Sequence, residues 1–459
     1  MILFRMVELS SLLTVRAPFV EVSSLRSTKV SAPFSRFKLS ESSAVMNSPP
    51  GKDFSQRRSA EQSFTSEAES RRKFALVNGA TERGDLLTLI AALRMYNISL
   101  RDSEAMRIAS AASAFPKHYY SQKFLLERLQ DYWGDQLKNP LLLARLHRNV
   151  TVDGRYLAIP TEQYLDIKTW GQANDIWIKV AQELGEQALC LALHNAGLKP
   201  HDLGALLFTT VTGIASPSID ALLINRMGLP ANIRRTPIFG LGCVAGAAGI
   251  ARAADYVRAY PSQAAALVSV ELCSLTLQRE DLSVANLISS GLFADGSAAV
   301  IVTGAEFESS GSEISGPKIL ATRSIFYPGT EEMMGWNISE KGFCIVLSTE
   351  VPNLIRQNLG RDVDAFLADN GYRRSDLQSW VLHTGGPKVL EACATALGLH
   401  NGQLDASWDC LRKVGNLSSA SVLVVLEDVM KHRRPEPGAM GLLAAMGPGF
   451  CSELLLLQW

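Results

Sequence analysis

The spacing of apolar residues changes period several times along this chain. Residues 106–113 (MRIASAAS) read as a strand, and further strand candidates fall at 204–210, 265–270, 298–303, 343–348, 379–383, 421–426 and 452–458. Helical spacing governs Gln122 to Leu146, with a break near Asn139-Pro140. It returns from Ile176 to Ala196, where Gly197 closes the helix. Helices fall between most of the strand candidates, so the pattern predicts an α/β protein with a sheet layered by helices. Two stretches, about 106–315 and 316–459, are similar in kind, although no repeat is legible in the letters. Ahead of them, Asp85 to Tyr96 carries an apolar stripe through Leu86, Leu89, Ile90 and Leu93, in a segment (61–105) without evident chemistry.

Composition narrows the function classes. The 459 residues hold 45 basic and 45 acidic side chains, and a neutral chain lacks the basic surface that coating a nucleic acid requires. With 47% hydrophobic and 20% charged residues, the chain can build a sizeable core and is too apolar for wholesale disorder. No run approaches the ~18 apolar residues of a transmembrane helix. Seven scattered cysteines without a CxxC pair fit neither a disulfide framework nor a zinc site, which points to no metal and to a reducing, cytoplasmic compartment. The zero charge conceals a shift, since residues 1–105 carry 15 basic and 11 acidic residues. Residues 1–60 hold thirteen serines and nine cations against four acids. This N-terminal extension reads as poorly structured: a disordered tail, an over-extended start or an organellar targeting segment.

Candidate chemistry begins at PIFGLGCVAGAAGIARAADYV, residues 237–257. Gly240 and Gly242 precede Cys243, which opens a helix of Ala, Gly, Ile and Val with no charge before Arg252. Such a helix is buried nearly all round, and its small residues admit neighbouring backbones. A thiol in its first turn meets unpaired N–H groups and the positive end of the dipole, which favour thiolate. A base is offered by His383, at the end of the apolar run SWVLH and before Thr-Gly-Gly-Pro-Lys. The other six histidines, His118, His147, His194, His201, His400 and His432, lie among helical or polar residues and are assigned to solvent. Asn416, in KVGNLSSASVLVVL, is by itself a cap or Asx-turn residue. Together, Cys243, His383 and Asn416 supply a nucleophile, a base and a neutral donor for an oxyanion. Papain-like proteases use the same three residue types in the same order, but they place the cysteine near the mature N-terminus in a different motif.

The segments LGCVAG, HTGGPK, GNLSSASV and MGPGF occur in order, and with them the chain resembles the type III polyketide synthases of the chalcone and stilbene synthase superfamily. The likeness spans about 106–459 and is nearest in kind to bacterial alkylpyrone and alkylresorcinol synthases. It implies a thiolase-like αβαβα sandwich of two related halves and a homodimer. Cys243 would carry the acyl group, and His383 and Asn416 would bind thioester oxygens. No cofactor is implied beyond the CoA thioesters that serve as substrates, acyl-CoA and malonyl-CoA.

The same resemblance assigns the cavity. Phe293, in GLFADGSAAVIV, falls on a gatekeeper phenylalanine, and Gly335, in MMGWN, on a cavity glycine. Ser418 and Thr276 fall on further cavity positions. A second gatekeeper falls near Ile345, a methionine that reaches across the dimer on Ser216, and a cavity threonine on Cys273. These smaller or aliphatic side chains imply a tunnel for a long acyl chain, where each buried CH₂ contributes about 0.8 kcal/mol. For the CoA phosphates only Arg145 matches the family's basic trio; Leu142 and Asn149 occupy the other two places, with Arg148 and Lys388 as substitutes. The expected activity is decarboxylative condensation of a medium- or long-chain acyl-CoA with malonyl-CoA, closing to an alkylpyrone or alkylresorcinol. The alternative is a ketoacyl-ACP synthase III-like enzyme that stops after one condensation, although GGPK after His383 departs from that class.

Overall fold

The computed structural model describes residues 106–459 apart from 138, 309–314 and 401. The stripe at 85–96 and every expectation for residues 1–105 lie outside the described residues. Strands β1 (Met106–Ala114), β2 (His118–Ser121) and β3 (Gly154–Leu157) come first, then β4 (Leu203–Thr210), β5 (Arg234–Phe239), β6 (Ala264–Leu272) and β7 (Asp295–Thr303). The second half contributes β8 (Lys318–Phe326), β9 (Met334–Ser339), β10 (Gly342–Leu347), β11 (Leu377–Leu382), β12 (Met440–Gly447) and β13 (Cys451–Gln458).

Nine of these strands share hydrogen bonds in the order β11-β12-β13-β8-β1-β7-β6-β4-β5. Within this sheet the strands of the two halves pair where Met106 and Arg107 of β1 meet Ile319 and Lys318 of β8. β6 and β7 are buried along their whole length, as expected of strands covered on both faces.

The layering follows from which apolar faces meet. The helix Trp170–Ala196 buries Trp177, Ala181, Leu184, Ala188, Leu189 and Ala192 against one face of the first half-sheet. On its other face lie the helices Ala245–Ala259 and Ser421–His432, which share a core with Leu207, Leu267 and Val300 on one side and Val381, Leu443 and Leu455 on the other. Beyond the second half-sheet, the helices Val351–Asp369 and Pro387–Leu397 close the stack through Val363, Phe366 and Cys393. The result is the expected α-β-α-β-α order.

Residues 421–426, expected as a strand, form the first turns of the helix Ser421–His432. Their run of Val and Leu is apolar on every side because both half-sheets enclose this helix, and periodicity cannot separate that situation from a buried strand. β10 overlaps the expected strand at 343–348, but it pairs only with β9 in a separate hairpin.

The central helix Ala245–Ala259 buries Gly246, Gly249 and eight further small or apolar residues. A Cβ on Gly246 would collide with the Ser419 carbonyl oxygen. Gly246→Ala therefore pushes the Asn416–Ser419 segment away from the helix, at a cost of about 1–3 kcal/mol for overpacking. Equilibrium unfolding should report this as lowered stability, together with loss of activity.

Candidate active site

Cys243 lies in a short 3-10 turn, Gly242–Val244, that leads into the central helix. Gly242 takes φ +56° with Pro448 packed so closely that a Cβ would stand 2.6 Å from its Cδ. Across from the thiol, Ser418 adopts φ +47° and its Oγ accepts from Cys243 Sγ at 3.6 Å. The Ser418 amide donates to Asn416 Oδ1 at 2.8 Å, and the Ser421 hydroxyl donates to the same oxygen at 3.3 Å. Asn416 is thus an Asx-turn residue as well as a site residue. Both described bonds fall on its oxygen, which leaves the Nδ2 hydrogens as the donors available to a ligand.

Asn416 is also tied to Phe293. The two form an isolated parallel bridge, with Asn416 N donating to Leu292 O and Ala294 N to Asn416 O, each at 2.9 Å. His383 follows the end of β11, and its amide donates to Ala444 O of β12 at 3.0 Å. β12 then runs to Gly447, where a Cβ would meet Leu241 O at 2.6 Å and Val244 N at 2.7 Å. These contacts link Cys243 to the Asn416–Ser418 turn and anchor His383 to β12, whose far end packs on the Cys243 turn. The His383 ring is buried, and its Nδ1 has no partner.

The electrostatics of the empty site differ from the expectation of a resting thiolate. Cys243 is only 7% exposed, and burial pushes its thiol up to about 12, with the nearby Glu271 charge adding to the effect. Burial likewise holds His383 down to about 4. Loss of water outweighs the helix dipole, so the resting pair is a neutral thiol and a neutral imidazole.

A cavity of about 190 Å³ is lined by Phe293, whose backbone is bridged to Asn416, and not by Cys243, His383 or Asn416 themselves. Of the expected cavity residues, Phe293, Thr276, Cys273 and Ile345 line it. Ser418 instead faces Cys243, and Gly335, at φ +154°, pairs with Val346 in the β9–β10 hairpin. Ser216 does not line the cavity either and is exposed in the loop after β4. Arg145 and Arg148 are exposed on the helix Pro140–Asn149, and Lys388 is exposed in the first turn of Pro387–Leu397. Val150 and Leu390 of these two neighbourhoods meet in one apolar cluster with Leu292.

His147, assigned to solvent from sequence, is buried, and its Nε2 lies 3.1 Å from Ser290 Oγ. Burial lowers it to about 3, so it packs as a neutral ring. Its partner lies 143 residues away, so the neighbouring letters carried no signal of its burial.

Sequence reasoning also missed Glu271, fully buried on β6. Its carboxylate accepts from Val211 N at 3.1 Å, Thr212 Oγ1 at 3.0 Å and the Ser419 hydroxyl. A lone acid inside the run AALVSVELCSL was the available signal. Burial raises this carboxyl from 4.5 to about 7. The unfolded chain therefore ionises it first, and stability falls as pH rises from about 4.5 to 7. The full shift corresponds to about 3 kcal/mol. Glu271→Gln should flatten that part of the stability–pH curve, measured by thermal unfolding between pH 5 and 8.

Comparison with known proteins bears on the whole described chain. Residues 104–306 match Chalcone and stilbene synthases, N-terminal domain, and residues 318–459 match the C-terminal domain. A 1,3,6,8-tetrahydroxynaphthalene synthase from Streptomyces peucetius subsp. caesius is 48% identical over 352 residues, 77% of this chain and 93% of that one. A putative chalcone synthase from Bacillus subtilis is 33% identical over 358 residues, 77% of this chain and 98% of that one. The crystal structure of the Streptomyces coelicolor tetrahydroxynaphthalene synthase superposes with a TM-score of 0.72 at 31% identity, covering 77% of this chain and 99% of that one. The alkylpyrone or alkylresorcinol product expected from sequence has no counterpart in these three names. Among the described residues no helix is long and apolar enough to cross a membrane. The chain belongs to the chalcone and stilbene synthase family and is a type III polyketide synthase, an acyltransferase that condenses malonyl-CoA with loss of carbon dioxide.

Proposed function

We propose that this chain builds its polyketide on Cys243 from malonyl units alone and closes it to a small polyhydroxyaromatic of the tetrahydroxynaphthalene kind. The observation that carries the reading is the cavity beside Phe293. Ser274, Thr276, Asn286 and Arg279 set hydroxyl, amide and guanidinium groups among its aliphatic side chains. Ser274, Thr276 and Asn286 already donate to Asp295, to the Cys273 carbonyl and to the Gln278 and Asp281 carbonyls. The spare donors are therefore those of Arg279, which a poly-β-keto chain with an oxygen on every second carbon meets and an alkyl chain does not. The names of its relatives in two Streptomyces species support the same product class.

Each chemical step then has an agent. The Cys243 thiol passes its proton to His383, and the sulfur attacks the thioester carbonyl of a CoA substrate, expelling CoA as the leaving thiol. Malonyl-CoA next loses carbon dioxide. The electron pair of the broken C–C bond becomes an enolate, whose oxygen takes hydrogen bonds from His383 and from Asn416 Nδ2. The enolate carbon attacks the acyl-Cys243 carbonyl, a C–C bond forms, and the Cys243 thiolate leaves. Neutral or cationic donors lower this barrier, and a carboxylate in either place would raise it. Arg145, Arg148 and Lys388 are exposed cations suited to the CoA phosphates.

A second reading keeps the acyl-CoA starter of medium or long chain. Leu125, Leu129, Leu157 and Leu165 in the same cavity favour it, as does Ile345 in place of an aromatic gatekeeper. A homodimer completes the proposal. β5 is a sheet edge exposed over most of its length, with Phe239 at its end 50% exposed and Ile214, in the loop after the neighbouring β4, 42% exposed. An unpaired edge flanked by apolar side chains invites a second copy.

The enzyme incubated with malonyl-CoA alone should yield a hydroxylated naphthalene by mass spectrometry. Product only when octanoyl- or palmitoyl-CoA is added would replace the first reading with the second. Cys243→Ala should abolish product in either case, and turnover retained by this variant would mean another nucleophile. Sedimentation should give twice the chain mass; a monomer would remove the dimer.

A further inference from the structure

We infer that Arg279 determines starter specificity by holding the terminal carboxylate of a dicarboxylic acyl starter, such as a malonyl unit that keeps its carboxylate. The inference deepens the reading above and rests on it.

Among the described residues three charged side chains line the cavity, Arg128, Arg155 and Arg279, and no Asp or Glu does. They are not equivalent. Arg128 stands at the rim, stacked over Phe124 with Asp131 at 3.6 Å. Arg155 is fully buried and donates to Gln122 Oε1 at 3.1 Å and to Ser290 O. Asp295 offsets its charge from behind the wall, while accepting from Ala158 N and from Ser274 N and Oγ. Arg279 differs from both. Among the described residues no carboxylate lies within 4 Å of it, although Glu280 and Asp281 follow it in the chain. Asp281 is turned to Ser283, whose amide and hydroxyl donate to it at 2.8 and 3.1 Å.

The contacts that Arg279 does make are with neutral groups. Its Nη1 donates to Tyr164 O at 3.3 Å and its Nη2 to Ile167 O. A guanidinium has five N–H donors in a planar fork, so two carbonyls leave a face of donors and a whole positive charge unmatched. In a cavity walled by leucines, a half-buried cation gains from an anion through charge-assisted bonds, and gains nothing from an alkyl chain. The direction of chain growth brings the two together. Each condensation inserts carbon next to the thioester on Cys243, so the starter end moves progressively away from the sulfur and into the cavity. The group that meets Arg279 is therefore whatever the starter carries at its far end, and for malonyl that is a carboxylate.

Arg279 also fastens the Tyr164–Ile167 segment, so the test must separate binding from support. The full-length enzyme is assayed with glutaryl-CoA against hexanoyl-CoA as competing starters, in the presence of malonyl-CoA, and the ratio of dicarboxylic to alkyl-primed products is read by mass spectrometry. Wild type should favour the carboxylated starter. Arg279→Met should lower that ratio at least tenfold, and Arg279→Lys should restore most of it. A ratio unmoved in Arg279→Met, with both products falling together, would make the residue a support for the Tyr164 segment and overturn the inference. So would a wild type with no preference for the carboxylated starter. If the enzyme makes nothing from malonyl-CoA alone yet shows the preference and its loss, the inference stands and the malonyl-only product is what fails.

Discussion

Everything at this site depends on one close approach of backbones. The central helix carries glycine where the Ser419 carbonyl presses against it, so the segment from Asn416 to Ser419 can lie directly on the turn that holds Cys243. That contact puts the Ser418 hydroxyl on the sulfur and orients the Asn416 amide through its oxygen. It also fixes Phe293, which is bridged to Asn416 from the other side. A side chain of any size at Gly246 would separate Cys243, Asn416 and Phe293 together. The run of Ala and Gly after Cys243 is thus a geometric requirement as much as a hydrophobic one.

The second consequence of such packing is dryness. Cys243 and His383 rest in their neutral forms, and Glu271 and Asp295 are held well above the ordinary carboxylate range. A dry interior makes each unpaired charge expensive and each donor toward an enolate effective. The same dryness gives weight to the difference between Arg155, offset by Asp295, and Arg279, which faces no carboxylate.

The layered fold was legible because buried strands and amphipathic helices impose distinct periods, as at 204–210, 265–270 and Ile176 to Ala196. Where both faces of a helix are covered, the period vanishes. That is why 421–426 looked like a strand until the two half-sheets were seen to enclose it. The proposed trio of Cys243, His383 and Asn416 stood out because glycine and proline punctuate the turns that carry it. Glu271 and His147 did not, since each depends on partners 59 to 148 residues away in one case and 143 in the other.

The sequence by itself determined the family and pointed to Cys243, His383 and Asn416 as the proposed reacting residues, because those rest on residue types in a fixed local order. Only the tertiary structure decided which side chains wall the cavity and which charges are offset. It placed Phe293, Cys273, Thr276 and Ile345 there, left out Ser216 and Gly335, and introduced Arg279. The reason is physical: a local motif fixes backbone geometry over a few residues, whereas a cavity is the space left between elements that meet only after folding. Its shape and charge are properties of that meeting and are written in no single segment.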